Sequence, residues 1–166
     1  LKTVDGKPYL YFDGSNELSI NLENLGHILN DPSGHQMSIF TVVKPISGYY
    51  IVSSGGQTSA RGYALSYQIG SNAFSSIRDN QGTNGINISS KFTANKLHLV
   101  TDIYDRTVNN YSVMVDDTNF TQAPTNVSYE DDEHLLTFGR PNNADSNWGS
   151  FEIAEFIVLN SIDSTK

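Results

Sequence analysis

The chain has no cysteine, which excludes disulfides, thiolate metal sites and cysteine nucleophiles together and leaves packing to hold the fold. It has no long hydrophobic run either: a membrane-crossing helix needs about 18 consecutive apolar residues, and the apolar stretches here are strand-sized. Basic charge is scarce, with 10 Lys and Arg against 18 Asp and Glu, a net charge of -8. Such a surface repels phosphate backbones and anionic lipid, because nucleic-acid binding draws on clustered lysines and arginines that release counterions. Neither nucleic acid nor membrane insertion is expected. The start, Leu1-Lys2-Thr3-Val4-Asp5-Gly6, lacks an initiator methionine, a basic n-region and an apolar h-region, so it does not read as a signal peptide. The 166 residues read as a single domain, 1–166, cut from a larger protein.

What the chain has in plenty is Ser, Thr, Asn, Gly and Tyr, arranged with period two. Tyr63, Leu65, Tyr67 and Ile69 alternate with Gly62, Ala64, Ser66 and Gln68. Leu97, Leu99 and Ile103 alternate with His98, Val100 and Asp102, and Tyr111, Val113 and Val115 alternate with Ser112 and Met114. Each set predicts a strand with one wet or ligand-facing side. The stretch from Leu97 to Ile103 and that from Tyr111 to Val115 flank the loop 104–110, predicting an antiparallel hairpin. Two segments read as central strands buried on both faces: Ser38–Val43, stopped by Pro45, and Phe151–Leu159. Turn clusters at Asn30–Gly34, Ser53–Gly56, Asn80–Gly85, Asp116–Asn119 and Pro141–Asp145 punctuate the strands. Only Leu22–Leu29 permits a helical turn or two. The pattern predicts an all-β sandwich or barrel.

Several phrases resemble laminin-G-like and concanavalin-A-like jelly rolls. Leu10-Tyr11-Phe12-Asp13-Gly14-Ser15-Asn16 followed by Leu18 resembles the family's first strand, Met37–Lys44 its second core strand, and Leu97–Asp105 a later strand ending in Tyr-Asp. Leu135–Arg140 and then Phe151–Asn160 resemble the closing pair, with Glu152 where glycine is usual and Leu159 where an aromatic is common. The resemblance implies a two-sheet antiparallel jelly-roll sandwich that takes ligands on its concave face or at one rim. It does not imply one function, since such domains bind carbohydrate, protein or calcium, serve as spacers, or cleave glycans.

Catalytic groups are hard to assemble. A retaining glycoside hydrolase needs two carboxylates about 5 Å apart, and Glu130-Asp131-Asp132-Glu133 begins like the related glucanase phrase but meets His134 and Leu135, so it reads as a solvated acidic turn. Glu152 and Glu155 are three apart, so on a strand they point to opposite faces and cannot act together; Glu155 matches the family's packed structural acid. Arg61, Gln68, His98 and Tyr104 are the lyase-type residues available, without the family's spacing. The four histidines have no zinc spacing. Calcium is a possible cofactor, through Asp116, Asp117, Asp131, Asp132 or Asp145 with loop carbonyls, the alternative being metal-free acidic turns.

Sugar binding needs an aromatic platform for the apolar ring face and planar polar groups for pairs of hydroxyls. Trp148, the only tryptophan, lies near Arg140, Asn142, Asn143, Asp145 and Asn147. Tyr49, Tyr50, Arg78 and Asp79 are secondary candidates. Against this stands the reading of Trp148 as a rim residue covering the core. The sequence therefore suggests a non-catalytic glycan-recognition module of an extracellular, cell-surface or virion protein, partnered by a glycan and the parent's other domains. The alternative is a structural or docking domain.

Overall fold

The computed structural model describes residues 2–4, 6–21, 36–53, 62–67, 73–79, 82–105, 110–121, 135–140 and 148–159. They form thirteen strands: β1 (Lys2–Val4), β2 (Lys7–Asp13), β3 (Leu18–Asn21), β4 (Gln36–Gly48), β5 (Tyr50–Ser53), β6 (Gly62–Tyr67), β7 (Ala73–Asp79), β8 (Gly82–Asn87), β9 (His98–Asp105), β10 (Asn110–Val115), β11 (Thr118–Thr121), β12 (Leu135–Phe138) and β13 (Gly149–Leu159). A seven-stranded sheet in the order β1-β2-β13-β4-β9-β10-β11 faces a six-stranded sheet in the order β3-β12-β5-β6-β7-β8. Every pairing is antiparallel. This is the expected jelly-roll sandwich, and the expected hairpin is there, β9 and β10 pairing from Asn110↔Asp105 to Val115↔Val100. The helix-permissive stretch Leu22–Leu29 lies outside the described residues.

The core fills the space between the sheets: Ile39, Val43, Val100, Val113 and Phe151 from one, and Ile51, Val52 and Leu65 from the other, all at most 2% exposed. Beside them, the Phe12 ring stacks on Phe151 at 4.5 Å, and Phe138 meets Phe156 edge-on at 5.2 Å. Strand β10 alternates as its sequence predicts, Tyr111, Val113 and Val115 inward.

Four expectations need correction. Strand β4 is not stopped by Pro45 but runs on to Gly48. Pro45 pairs with Phe151 at a register shift between Ser150 and Phe151, and a bulge is where a missing N–H does not break the ladder. Strand β13 is central but buried on both faces only at its start, since Ile157 and Leu159 are 45% and 41% exposed. Glu155 is exposed rather than packed. The pairing with β4 skips Ala154, passing from Ile153↔Val43 to Glu155↔Val42. That extra residue lets Ile153 and Phe156, three apart, both pack on the core. Glu152 and Glu155 consequently share the outer face instead of opposing each other.

In β9 the buried side is His98, Val100, Asp102 and Tyr104, while Leu99 is 40% exposed. Their partners on β4, Val43, Thr41, Ile39 and Met37, are all buried, and this register fixes the inward side. Burying Asp102 is tolerated because hydroxyls surround it. Ser75 of the opposite sheet donates to its Oδ1 at 2.5 Å, and the Tyr111 hydroxyl lies 2.9 Å from the same oxygen.

Candidate functional site

Three crossings between the sheets meet at one end of the sandwich. The chain passes from β2 to β3 through Gly14–Glu17, from β4 to β5 through Gly48 and Tyr49, and from β12 to β13 through 139–148. Ser150 pairs with both Asp13 and Ser47, so all three lie at the same rim. Backbone bonds lock them together: Tyr49 N–H donates to Trp148 O at 3.1 Å, Gly149 N–H to Gly139 O at 2.7 Å and Gly139 N–H to Ile51 O at 3.0 Å. Glycine permits the approach. A Cβ on Gly149 would run into Tyr50 O, one on Gly48 into Trp148 O, and Gly48 and Gly139 hold φ of 94° and 95°.

The first loop is set by its own side chains. Asp13 Oδ1 accepts the Ser15 N–H at 2.9 Å and the Ser15 hydroxyl at 2.7 Å, and the Asp13 N–H donates to Asn16 Oδ1 at 3.3 Å. The Ser15 hydroxyl, and after it the Ser15 amide, hold the Asp13 carboxyl below its ordinary value. This delivers Glu17 to Arg140, whose Nη2 donates to Oε1 at 2.9 Å and whose Nε is ion-paired with Oε2. The Arg140 guanidinium in turn sits 5.3 Å from the centre of the Trp148 ring. Tyr49 and Tyr50 adjoin, their rings 4.8 Å apart and tilted by 43°. Tyr50 is buried, whereas Trp148, Arg140 and Tyr49 are half-buried. A rigid aromatic surface beside a clamped cation is thus presented at the rim.

The structure brings together Trp148, Arg140, Tyr49 and Tyr50 of the sequence candidates. Asn142, Asn143 and Asp145 lie outside the described residues. Arg78 and Asp79 are elsewhere: Arg78 pairs with Gly62 at the far end of β6, whereas Tyr67 at the near end bonds Tyr49 O, and five residues of strand put the two about 17 Å apart. Sequence reasoning missed Glu17 and the glycines Gly48, Gly139 and Gly149. The signal was present in the phrases Gly-Tyr-Tyr, Gly-Arg and Trp-Gly, where glycine touches each candidate side chain.

With this geometry in hand, similarity to solved structures is informative. The chain matches no protein-family model and no curated protein. It is similar to the CBM40 of the Ruminococcus gnavus IT-sialidase, at a TM-score of 0.72 and 11% identity over 96% of this chain and 93% of that one. The same module bound to α2,3-sialyllactose gives 0.70. The receptor-binding domain of botulinum neurotoxin D gives a TM-score of 0.64 at 18% identity, over 88% of this chain but 38% of that one. The chain thus spans nearly all of the sialidase module and about a third of the toxin domains. At such identities the shared property is the fold, a two-sheet antiparallel β-sandwich.

Other candidate chemistry fares differently. His98 and Tyr104, two of the lyase-type residues, are 4% and 6% exposed and point into the sandwich, where no polysaccharide reaches. Arg61, Gln68 and the acidic run 130–133 lie outside the described residues. Among the calcium candidates, Asp116 bonds His98 and the Leu99 amide, and Asp117 accepts from Thr118 Oγ1 at 3.2 Å. No cluster of three His, Asp or Glu able to hold a metal occurs among the described residues; Asp131, Asp132 and Asp145 are not among them. Nor is any described helix long and apolar enough to cross a membrane.

Proposed function

We propose that this domain is a non-catalytic carbohydrate-recognition module that holds its glycan at the rim formed by Trp148, Arg140 and Tyr49. The observation that carries the reading is the Arg140–Trp148 stack with Arg140 clamped by Glu17. It combines a flat aromatic face, suited to the apolar face of a sugar ring, with a fixed fork of donors suited to hydroxyl pairs or a sugar carboxylate. The likeness to a sialidase module solved with sialyllactose supports the same reading. Recognition is shallow, single-site affinity is weak, and the parent protein, extracellular, surface or virion, raises it through multiple copies. A second reading, a structural or docking domain, is favoured by the exposed Leu99, Ile157 and Leu159 on the outer face of the seven-stranded sheet.

The test is a glycan array probed with the purified domain, with and without calcium, alongside Trp148→Ala. Binding that disappears in the variant while its amide fingerprint stays folded supports the rim site, and calcium dependence brings the acidic loops into it. A blank array, or a Trp148→Ala protein that unfolds, moves the weight to the second reading.

A further inference from the structure

Phe156 and Val158 of β13 pack on the core, so Ile157 and Leu159, 45% and 41% exposed, point away from it. The register carries this outward side across the seven-stranded sheet: Ile157 pairs with Phe40, Phe40 with Thr101 and Thr101 with Met114. One step to one side, Val42 pairs with Leu99, which is 40% exposed; one step to the other, Ser38 joins Leu159 to Ile103. The polar positions inside this band, Ser38 and Thr101, are 3% and 4% exposed, so the outer face of β13, β4, β9 and β10 presents mainly hydrocarbon here. Three strand spacings of about 4.8 Å by two steps of about 6.8 Å make the band roughly 14 Å on a side.

Charge and size decide what covers it. Exposed Glu155 stands at the edge of the band, opposite Val42 on the same outer face. The one described lysine on the outward side of β4, Lys44, is already ion-paired with Glu152 at 3.0 Å, and Asp105 ends the outward side of β9. On a chain of net charge -8, this edge repels anionic lipid and attracts a cationic partner. Two copies placed face to face would bring their carboxylates together, and the band is far smaller than the roughly 800 Å² each partner contributes to a stable interface. A single helix, about 10 Å across with a pitch of 5.4 Å, covers it in about three turns. We infer that this face docks an amphipathic helix of a protein partner, whose aliphatic residues at i, i+3, i+4 and i+7 lie against Ile157, Phe40 and Leu99 while a flanking Lys or Arg meets Glu155. The surface shares no residue with the rim site and does not depend on it.

The experiment titrates synthetic peptides of about four turns into the methyl-labelled domain and follows the Leu and Ile signals by NMR. One peptide carries leucine at i, i+3, i+4 and i+7 and lysine elsewhere, the second replaces lysine by glutamate, and the third scrambles the first so that composition is kept and the stripe is lost. The expected result is saturable shifts at Leu99, Ile103, Ile157 and Leu159 with the lysine peptide, severalfold weaker binding of the scramble, and none of the glutamate peptide. Glu155→Lys and Ile157→Thr, both exposed changes whose amide fingerprints check folding, each lower the affinity for the lysine peptide severalfold. Shifts that avoid this face, equal binding of the scramble or the glutamate peptide, or an affinity that neither variant alters overturns the inference. A domain that sediments as a dimer until Leu99→Asp separates it overturns it too, because the band then belongs to a second copy. None of these outcomes bears on glycan binding at Trp148, so the two proposals fail separately.

Discussion

His98 Nδ1 lies 2.9 Å from Asp116 Oδ2, joining the start of β9 to the turn that follows β10. The other oxygen of Asp116 accepts the Leu99 N–H at 3.0 Å, and the residue holds a left-handed φ of 55°. On the far side of the ring, the Thr93 N–H lies 3.1 Å from His98 Nε2, so the ring is held at both nitrogens. Partial burial pushes the Asp116 carboxyl up, but the His98 hydrogen bond, the Leu99 amide and the charges of His98 and Lys91 outweigh it and hold the pKa below 3.8.

A carboxyl whose pKa is lower folded than unfolded adds stability above the unfolded value and loses it as pH falls through the folded value. Asp13 contributes with the same sign. Melting temperatures are therefore expected to change little from these two groups between about pH 6 and pH 4, and to fall below that. Asp116→Asn keeps a residue that tolerates the left-handed backbone. It should lower the neutral-pH melting temperature and make the acid decline shallower. An acid limb of unchanged steepness in the variant would contradict the assignment.

Tyr111 tests the buried carboxylate. Its hydroxyl lies 2.9 Å from Asp102 Oδ1 and 2.7 Å from Ser75 Oγ, with all three residues at most 5% exposed. Tyr111→Phe keeps the ring in the core and removes one donor from a buried acceptor, which costs about 1–3 kcal/mol. Urea denaturation should show that loss with an unchanged slope. A loss below about 0.5 kcal/mol would mean that the hydroxyl adds nothing to holding Asp102.

Glycine separates rim from turn. Gly149→Ala places a Cβ against Tyr50 O and Gly48→Ala against Trp148 O, in both cases backbone that cannot swing away. Gly6 has a positive φ of 76° but open space around its missing side chain. Gly6→Ala therefore meets only the left-handed backbone penalty of about 1–2 kcal/mol. The two rim variants should lose more than that or fail to fold. Denaturation midpoints in the order Gly6→Ala above Gly48→Ala and Gly149→Ala are the check, and equal midpoints would remove the crowding argument.

The sandwich was legible because period two is written plainly in β6 and β10, and because Phe12, Phe138 and Phe151 sit in phrases shared with jelly rolls. The faces of β9 were not. An aspartate alternating with leucines looks outward-facing until Ser75, 27 residues away, supplies a hydroxyl from the opposite sheet. The reversal of Glu155 has a similar cause, since one extra residue at Ala154 inverts every later side chain and no local pattern announces it. At the rim, Trp148 and Arg140 were legible as residue types. Their clasp by Glu17 was not, because it joins positions 123 apart in the chain.

That clasp leads to a prediction about the glycan itself. Glu17 takes both the Nε and Nη2 sides of the Arg140 guanidinium, and both side chains are only partly exposed, at 26% and 32%. Whatever carboxylate a ligand brings to Arg140 must share the cation with one already present. Removing that competitor by Glu17→Gln should raise affinity for acidic glycans by about 1 kcal/mol, roughly fivefold, at low salt. The gain should shrink as salt screens it. Neutral glycans stacking on Trp148 should be little affected. Calorimetric titration of one acidic and one neutral array hit against both proteins measures the difference. A parallel change for the two ligands would locate the effect in the rim's structure rather than in its charge, whereas a gain confined to the acidic glycan identifies Arg140 as the group that meets the sugar carboxylate.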